Sequence, residues 1–87
     1  MKSRKIFNRI AILRKSKGVS RKLLADEIGV NFQTVGYLER EDYNPSLDLA
    51  FRISEYFQLP IDVIFSIKEH QPLDELLRNE YKGGQND

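Results

Sequence analysis

Residues 20–42 read SRKLLADEIGVNFQTVGYLERED, two short apolar-periodic segments broken by one glycine at the turn. Ser20 is placed to cap the first segment, whose apolar positions are Leu24, Ala25 and Ile28. Gly29 ends it, because glycine adopts the left-handed backbone of a sharp turn without a Cβ penalty. Asn31 can cap the second segment, Phe32 to about Arg40, with Val35 and Leu38 on its inner side. A connection of about three residues, Gly29-Val30-Asn31, joining two such helices predicts the corner of a helix-turn-helix running from Arg21 to Arg40. Ala25 is small enough to let the two helices approach, and Leu24, Ile28, Val30, Val35 and Leu38 form their shared core. With those turned inward, Phe32, Gln33, Gly36, Tyr37 and Arg40 remain on the outer face of the second of these segments, the third helix of the chain.

The pattern extends in both directions. Upstream, Ile10 and Leu13, with Ile6 or Phe7 a turn earlier, predict a helix from about Asn8 to Lys17, ended by Gly18. Downstream, Glu41 to Pro45 is a turn whose proline blocks continuation. Ser46 then caps a fourth helix with Leu47, Leu49, Ala50, Ile53 and Phe57 as its apolar stripe. Leu59-Pro60 breaks the chain before a short fifth helix carrying Ile61, Ile64 and Phe65. Pro72 can open an extra C-terminal helix over residues 72–81, with Leu73, Leu76, Leu77 and Tyr81 on one face and a frayed tail after it. No segment shows strand alternation and nothing repeats. The expected fold is all-α and compact, with five short helices and a sixth at the end. It divides into a basic arm (1–7), a helix-turn-helix domain (8–67) and a C-terminal segment (68–87).

Eighty-seven residues suffice for one core, and 40% apolar with 31% charged residues is the balance of a folded domain rather than a disordered one. The absence of cysteine removes disulfides and thiolate ligands, and His70 is the single histidine, so neither a metal nor a cofactor is expected. Asp26, Glu27, Glu39 and Asp62 read as surface charges on short helices, and His70 has no nucleophile in a plausible turn to serve, so the chain is not expected to be an enzyme. No apolar run approaches the roughly 20 residues of a membrane span. The basic start Met1–Lys5 lacks the long apolar stretch of a signal peptide, so a cytoplasmic protein with no membrane role is expected.

Charge is more informative in its distribution than in its sum of +1. Lys2, Arg4, Lys5, Arg9, Arg14, Lys15, Lys17, Arg21 and Lys22 precede any acid, and the rest of the chain is strongly acidic. Such asymmetry fits either a polyanionic partner or a solvated basic helix.

The run SRKLLADEIGVNFQTVGYLERED, followed by YNPSLDLAFRISEYFQLPIDVIF, resembles the Cro/cI-like (XRE) family of helix-turn-helix transcriptional regulators, in particular its short, nearly single-domain members. The similarity covers roughly Asn8 to Ser66, with glycine, asparagine-proline and capping residues in register with the apolar positions. It implies a lambda-repressor-like DNA-binding domain that recognises double-stranded DNA, with Phe32, Gln33, Gly36 and Tyr37 facing base edges. The backbone contacts it implies fall on Arg21, Lys22, Asn31, Thr34 and Arg40. Gln33 is the best candidate for a specific contact, since its amide can bond adenine N6 and N7 as a pair. A repressor acting as a homodimer on a two-fold operator is the function expected. The alternatives are an antitoxin-type or accessory regulator whose C-terminal segment binds a partner protein, and a helical interaction module that no longer reads DNA.

The chain departs from the family pattern at several positions. Arg21 replaces the glutamine usual at the start of the second helix, and Phe32 stands where many relatives have arginine. The usual ENGK reads Glu39-Arg40-Glu41-Asp42, which puts an acid in place of a phosphate-binding lysine. Gly36 costs the third helix about 1 kcal/mol against alanine. The Phe32 ring can face the DNA or fold into the core beside Leu38. Ile12, Leu23, Phe51 and Tyr56 fall at positions where a monomer of this fold would expose polar groups, as scattered surface apolars or as interface.

Overall fold

Ser20 Oγ accepts the Leu23 amide at 3.0 Å and Ser46 Oγ accepts that of Leu49 at 3.1 Å, so α2 (Arg21–Ile28) and α4 (Leu47–Phe57) begin at their capping serines. The computed structural model describes residues 4–69. It adds α1 (Ile10–Lys17), α3 (Phe32–Glu39) and α5 (Ile61–Ile64), with two-residue strands β1 (Phe7–Asn8) and β2 (Phe65–Ser66) at the ends. Gly18 and Gly29 terminate α1 and α2 at φ 75° and 76°, the left-handed backbone expected of them. The helix proposed at 72–81, the tail and His70 lie outside the described residues.

One core serves all five helices. Ile10, Leu24, Ala25, Ile28, Val35, Leu38, Leu49, Ala50, Ile53, Ile64 and Phe65 are buried, with Ile6, Leu13, Val30, Phe57 and Ile61 packed against them. Of the two candidates preceding α1, Ile6 supplies the packed side chain.

The structure corrects four expectations. The first helix starts at Ile10, because Asn8 pairs with Phe65 and Phe7 with Ser66 in an antiparallel ladder. That ladder is two residues long and closes across most of the sequence, too short for any alternation to show. Phe65 therefore leaves α5 and is buried from β2. Leu47, counted in the stripe of α4, is 71% exposed, since as the first residue of the helix it precedes the buried face set by Leu49, Ala50 and Ile53. Tyr56 packs partly against the core, edge-on to Phe57 with ring centroids 5.1 Å apart, while Ile12, Leu23 and Phe51 are exposed.

Asn8 fastens the start of α1 to the end of α3. Its Nδ2 donates to the Leu38 carbonyl at 2.7 Å, its Oδ1 accepts the Ile10 amide at 3.0 Å, and its own amide donates to Glu41 Oε2 at 2.9 Å. Glu41 takes φ 64° just after α3, where the amides of Glu41 and Asp42 donate back to the carbonyls of Leu38 and Tyr37. This is a Schellman-type stop that favours glycine, formed here by an acid whose carboxylate binds the Asn8 amide.

Candidate nucleic-acid interface

Val35 and Leu38, fully buried, fix the rotation of α3 about its axis. That rotation turns Phe32, Gln33 and Tyr37 to solvent. Phe32 is 53% exposed, so its ring does not fold in beside Leu38. Asn31 occupies the N-cap position with extended backbone but makes no side-chain capping bond, contrary to its expected use, so the helix does not consume its amide group. Thr34 is half-buried, at the edge of the exposed face.

Gly36 lies on this face but is covered rather than open. Arg40, the C-cap residue, folds back one turn, and a methyl group added to Gly36 would lie 3.2 Å from Arg40 Nη1. The same guanidinium sits over the Tyr37 ring, 5.1 Å from its centroid, and Nε donates to Asp42 Oδ2 at 3.2 Å. Arg21, Phe32, Gln33, Gly36, Tyr37 and Arg40 together line a shallow cleft of about 160 Å³. Lys22, Asn31 and Thr34 are not among its lining; Lys22 Nζ instead lies 3.7 Å from Asp26 on its own helix.

Glu39, expected as a surface charge, is the chief surprise. Its side chain is 3% exposed and lies between two arginines, with Arg14 Nε at 2.6 Å and Arg21 Nε at 2.9 Å. Burial alone would raise the Glu39 carboxyl, but the hydrogen bonds from Arg14 and then Arg21, with their charges, outweigh it and hold the group below its ordinary range. Arg14 also donates from Nη1 to the Val19 carbonyl at 3.0 Å. A signal for this pair exists in the sequence. Arg14 stands four residues after buried Ile10, and Glu39 four after buried Val35, so helical periodicity turns both inward.

Among the described residues of the basic run, several are engaged within the fold. Arg14 is internal, Arg21 is held at Glu39, Arg9 donates to the Val63 carbonyl at 3.1 Å, and Lys17 lies over the Tyr56 ring. Lys5 Nζ is 3.8 Å from Glu41, and Asn44 Nδ2 donates to the Arg4 carbonyl, which docks the start of the described chain beside the turn after α3. Among the described residues no group of three His, Cys, Asp or Glu could hold a metal ion, and no helix is long and apolar enough to cross a membrane.

Residues 10–64 match the family described as helix-turn-helix. Over 62 residues, 71% of the chain and 94% of the relative, it is 37% identical to the uncharacterized HTH-type transcriptional regulator YgzD of Bacillus subtilis (strain 168). An uncharacterized HTH-type transcriptional regulator of Archaeoglobus fulgidus is 35% identical over 63 residues, 72% of this chain and 90% of that one. In fold the chain is similar to a crystallised protein of Bacteroides fragilis, with a TM-score of 0.64 at 21% identity, covering 70% of this chain and 98% of the other. The five helices, the Gly29 corner and these matches agree: the chain belongs to the Cro/cI-like (XRE) family of helix-turn-helix transcriptional regulators.

Proposed function

We propose that this protein binds double-stranded DNA sequence-specifically, with α3 in the major groove, and acts as a homodimeric repressor on a two-fold operator. The observation that carries the reading is the outer face of α3. Buried Val35 and Leu38 hold the helix rigidly while Phe32, Gln33 and Tyr37 project from it, with Arg21 and Arg40 alongside. A helix with its side chains is about 10–12 Å across, which suits a major groove about 12 Å wide.

Gln33 is the direct reader, adenine being its natural partner, with Phe32 and Tyr37 supplying apolar contact to thymine methyls. Asn31 and Lys22 reach phosphates, Asn31 helped by the positive end of α3, and Arg21 from the cleft and half-buried Thr34 add backbone contacts. A two-fold operator calls for two reading heads, hence the homodimer. Leu47 and Phe51, exposed and one turn apart on α4, offer apolar surface for the pairing.

Selection of bound duplexes from a random pool, followed by salt titration of the winners, tests the reading. Affinity should fall as a power of salt concentration, with a slope near −0.9 per neutralised phosphate, and selected sites should show two-fold symmetry. Absent or salt-insensitive binding to every duplex would sink it.

A further inference from the structure

Arg40 sits at the end of α3, where a long cation ordinarily reaches outward to solvent or phosphate. Here three features hold it back over the reading face. Helical Cα–Cβ bonds lean toward the N-terminus, so the side chain runs back toward Gly36, where the missing methyl leaves room for Nη1. The Tyr37 ring lies beneath the guanidinium, 5.1 Å from centroid to Cζ. Asp42 Oδ2 takes the Nε hydrogen at 3.2 Å. Resting on the reading proposed above, we infer that Arg40 is a specificity-determining residue that recognises one guanine in each half-site, positioned by Tyr37, Asp42 and the bare backbone of Gly36.

The chemistry favours a base over a phosphate. With Nε occupied by Asp42, the guanidinium offers its two terminal nitrogens as a planar fork, the arrangement that matches guanine O6 and N7. A phosphate contact needs no such orientation, and exposed Asp42, 3.2 Å from the guanidinium, would repel the phosphate it approached, unlike Glu39 beside Arg21, which is buried and shared with Arg14. The cleft that Arg40 lines also holds Arg21, Phe32, Gln33 and Tyr37, but Arg21 is held on Glu39, whereas the Arg40 fork lies over the Tyr37 ring among the base-facing side chains.

The test uses the full chain and its selected duplex, with each half-site guanine replaced in turn by 7-deazaguanine, which lacks N7. One replacement should weaken wild type roughly ten- to hundredfold and leave Arg40→Ala unaffected. Asp42→Asn should bind more weakly and with less guanine preference, whereas a phosphate-binding Arg40 would grip harder once the acid is gone. Gly36→Ala should melt higher as a better helix former yet lose the same preference, which separates the effect from misfolding. The inference is overturned if Arg40→Ala loses equal affinity on selected and random duplexes, or if no guanine responds. Failure of wild type to bind any duplex would instead overturn the DNA-binding reading itself.

Discussion

Arg14 Nε on α1 lies 2.6 Å from Glu39 Oε2 at the end of α3, and this buried pair ties the first helix to the helix that faces solvent. Replacing Glu39 by glutamine leaves the Arg14 guanidinium inside without its counter-charge. Removing one partner of a buried pair costs about 3–5 kcal/mol. Urea denaturation of Glu39→Gln should therefore show a loss of that order. A loss below about 1 kcal/mol would mean that the pair behaves like an exposed one.

The same carboxylate predicts how stability responds to acid. Because the folded protein holds Glu39 below its ordinary value of 4.5, the contribution is complete above that value and is lost as pH falls through the lowered folded value. Wild type should lose stability on acidification below about pH 4.5, and Glu39→Gln should show a flatter acid limb over that window. Parallel limbs in thermal melts across the acid range would show that other carboxylates govern the response.

How much of this was legible follows from the range of the interactions. The caps at Ser20 and Ser46, the left-handed glycines 18 and 29, and the inner faces of α2 and α3 rest on neighbours within a turn or two, and the sequence shows them. The β1–β2 ladder, the Asn8 bonds to Leu38 and Glu41, and the two arginines on Glu39 join residues 18 to 59 positions apart, a separation that no local period spans. Reading Glu39 as a surface charge and counting Arg14 in the basic run followed from residue type, although their position on the helix turned them inward. For the candidate site, the outward face of α3 was readable from Val35 and Leu38 alone. The covering of Gly36 was not, because it depends on which rotamer Arg40 adopts.

Asn8 gives a measure of the long-range fastening. Asn8→Ala removes the donor to the Leu38 carbonyl and the acceptor for the Ile10 amide, leaving two partly buried backbone groups without those partners. The expected destabilisation is about 1–3 kcal/mol. Hydrogen exchange should show the start of α1 and the Phe7–Asn8 strand opening more easily, while α4 keeps its protection. Uniform loss of protection would mean that this corner does not open separately.

Gly29 and Gly36 should respond to alanine with opposite signs. At Gly29 the backbone sits at φ 76°, and a methyl would meet Arg52 Nη1 at 3.0 Å, the atom that donates to the Ile28 carbonyl at 2.6 Å. Left-handed backbone costs an L-residue about 1–2 kcal/mol, so Gly29→Ala should melt lower. Gly36 has ordinary helical backbone and should gain about 1 kcal/mol. Equal shifts in melting temperature would contradict the assignment of Gly29 to the turn.

Gln33 and Arg21 should separate base recognition from backbone grip. Gln33 projects from the middle of the reading face, so Gln33→Ala should cost about 1–3 kcal/mol on the selected duplex, relax preference at one base pair, and leave random-duplex binding nearly unchanged. Arg21 is half-exposed and lines the cleft, and its Nε is already engaged by Glu39, which fixes its guanidinium. Arg21→Ala should therefore weaken all duplexes alike and reduce the salt slope by about one unit. Its own stability should change by no more than about 1 kcal/mol, because Arg14 still neutralises Glu39 and exposed pairs contribute little. Titrations of both variants at several salt concentrations check the pair together. If Arg21→Ala altered sequence preference while leaving the slope intact, Arg21 would be a reader rather than a clamp.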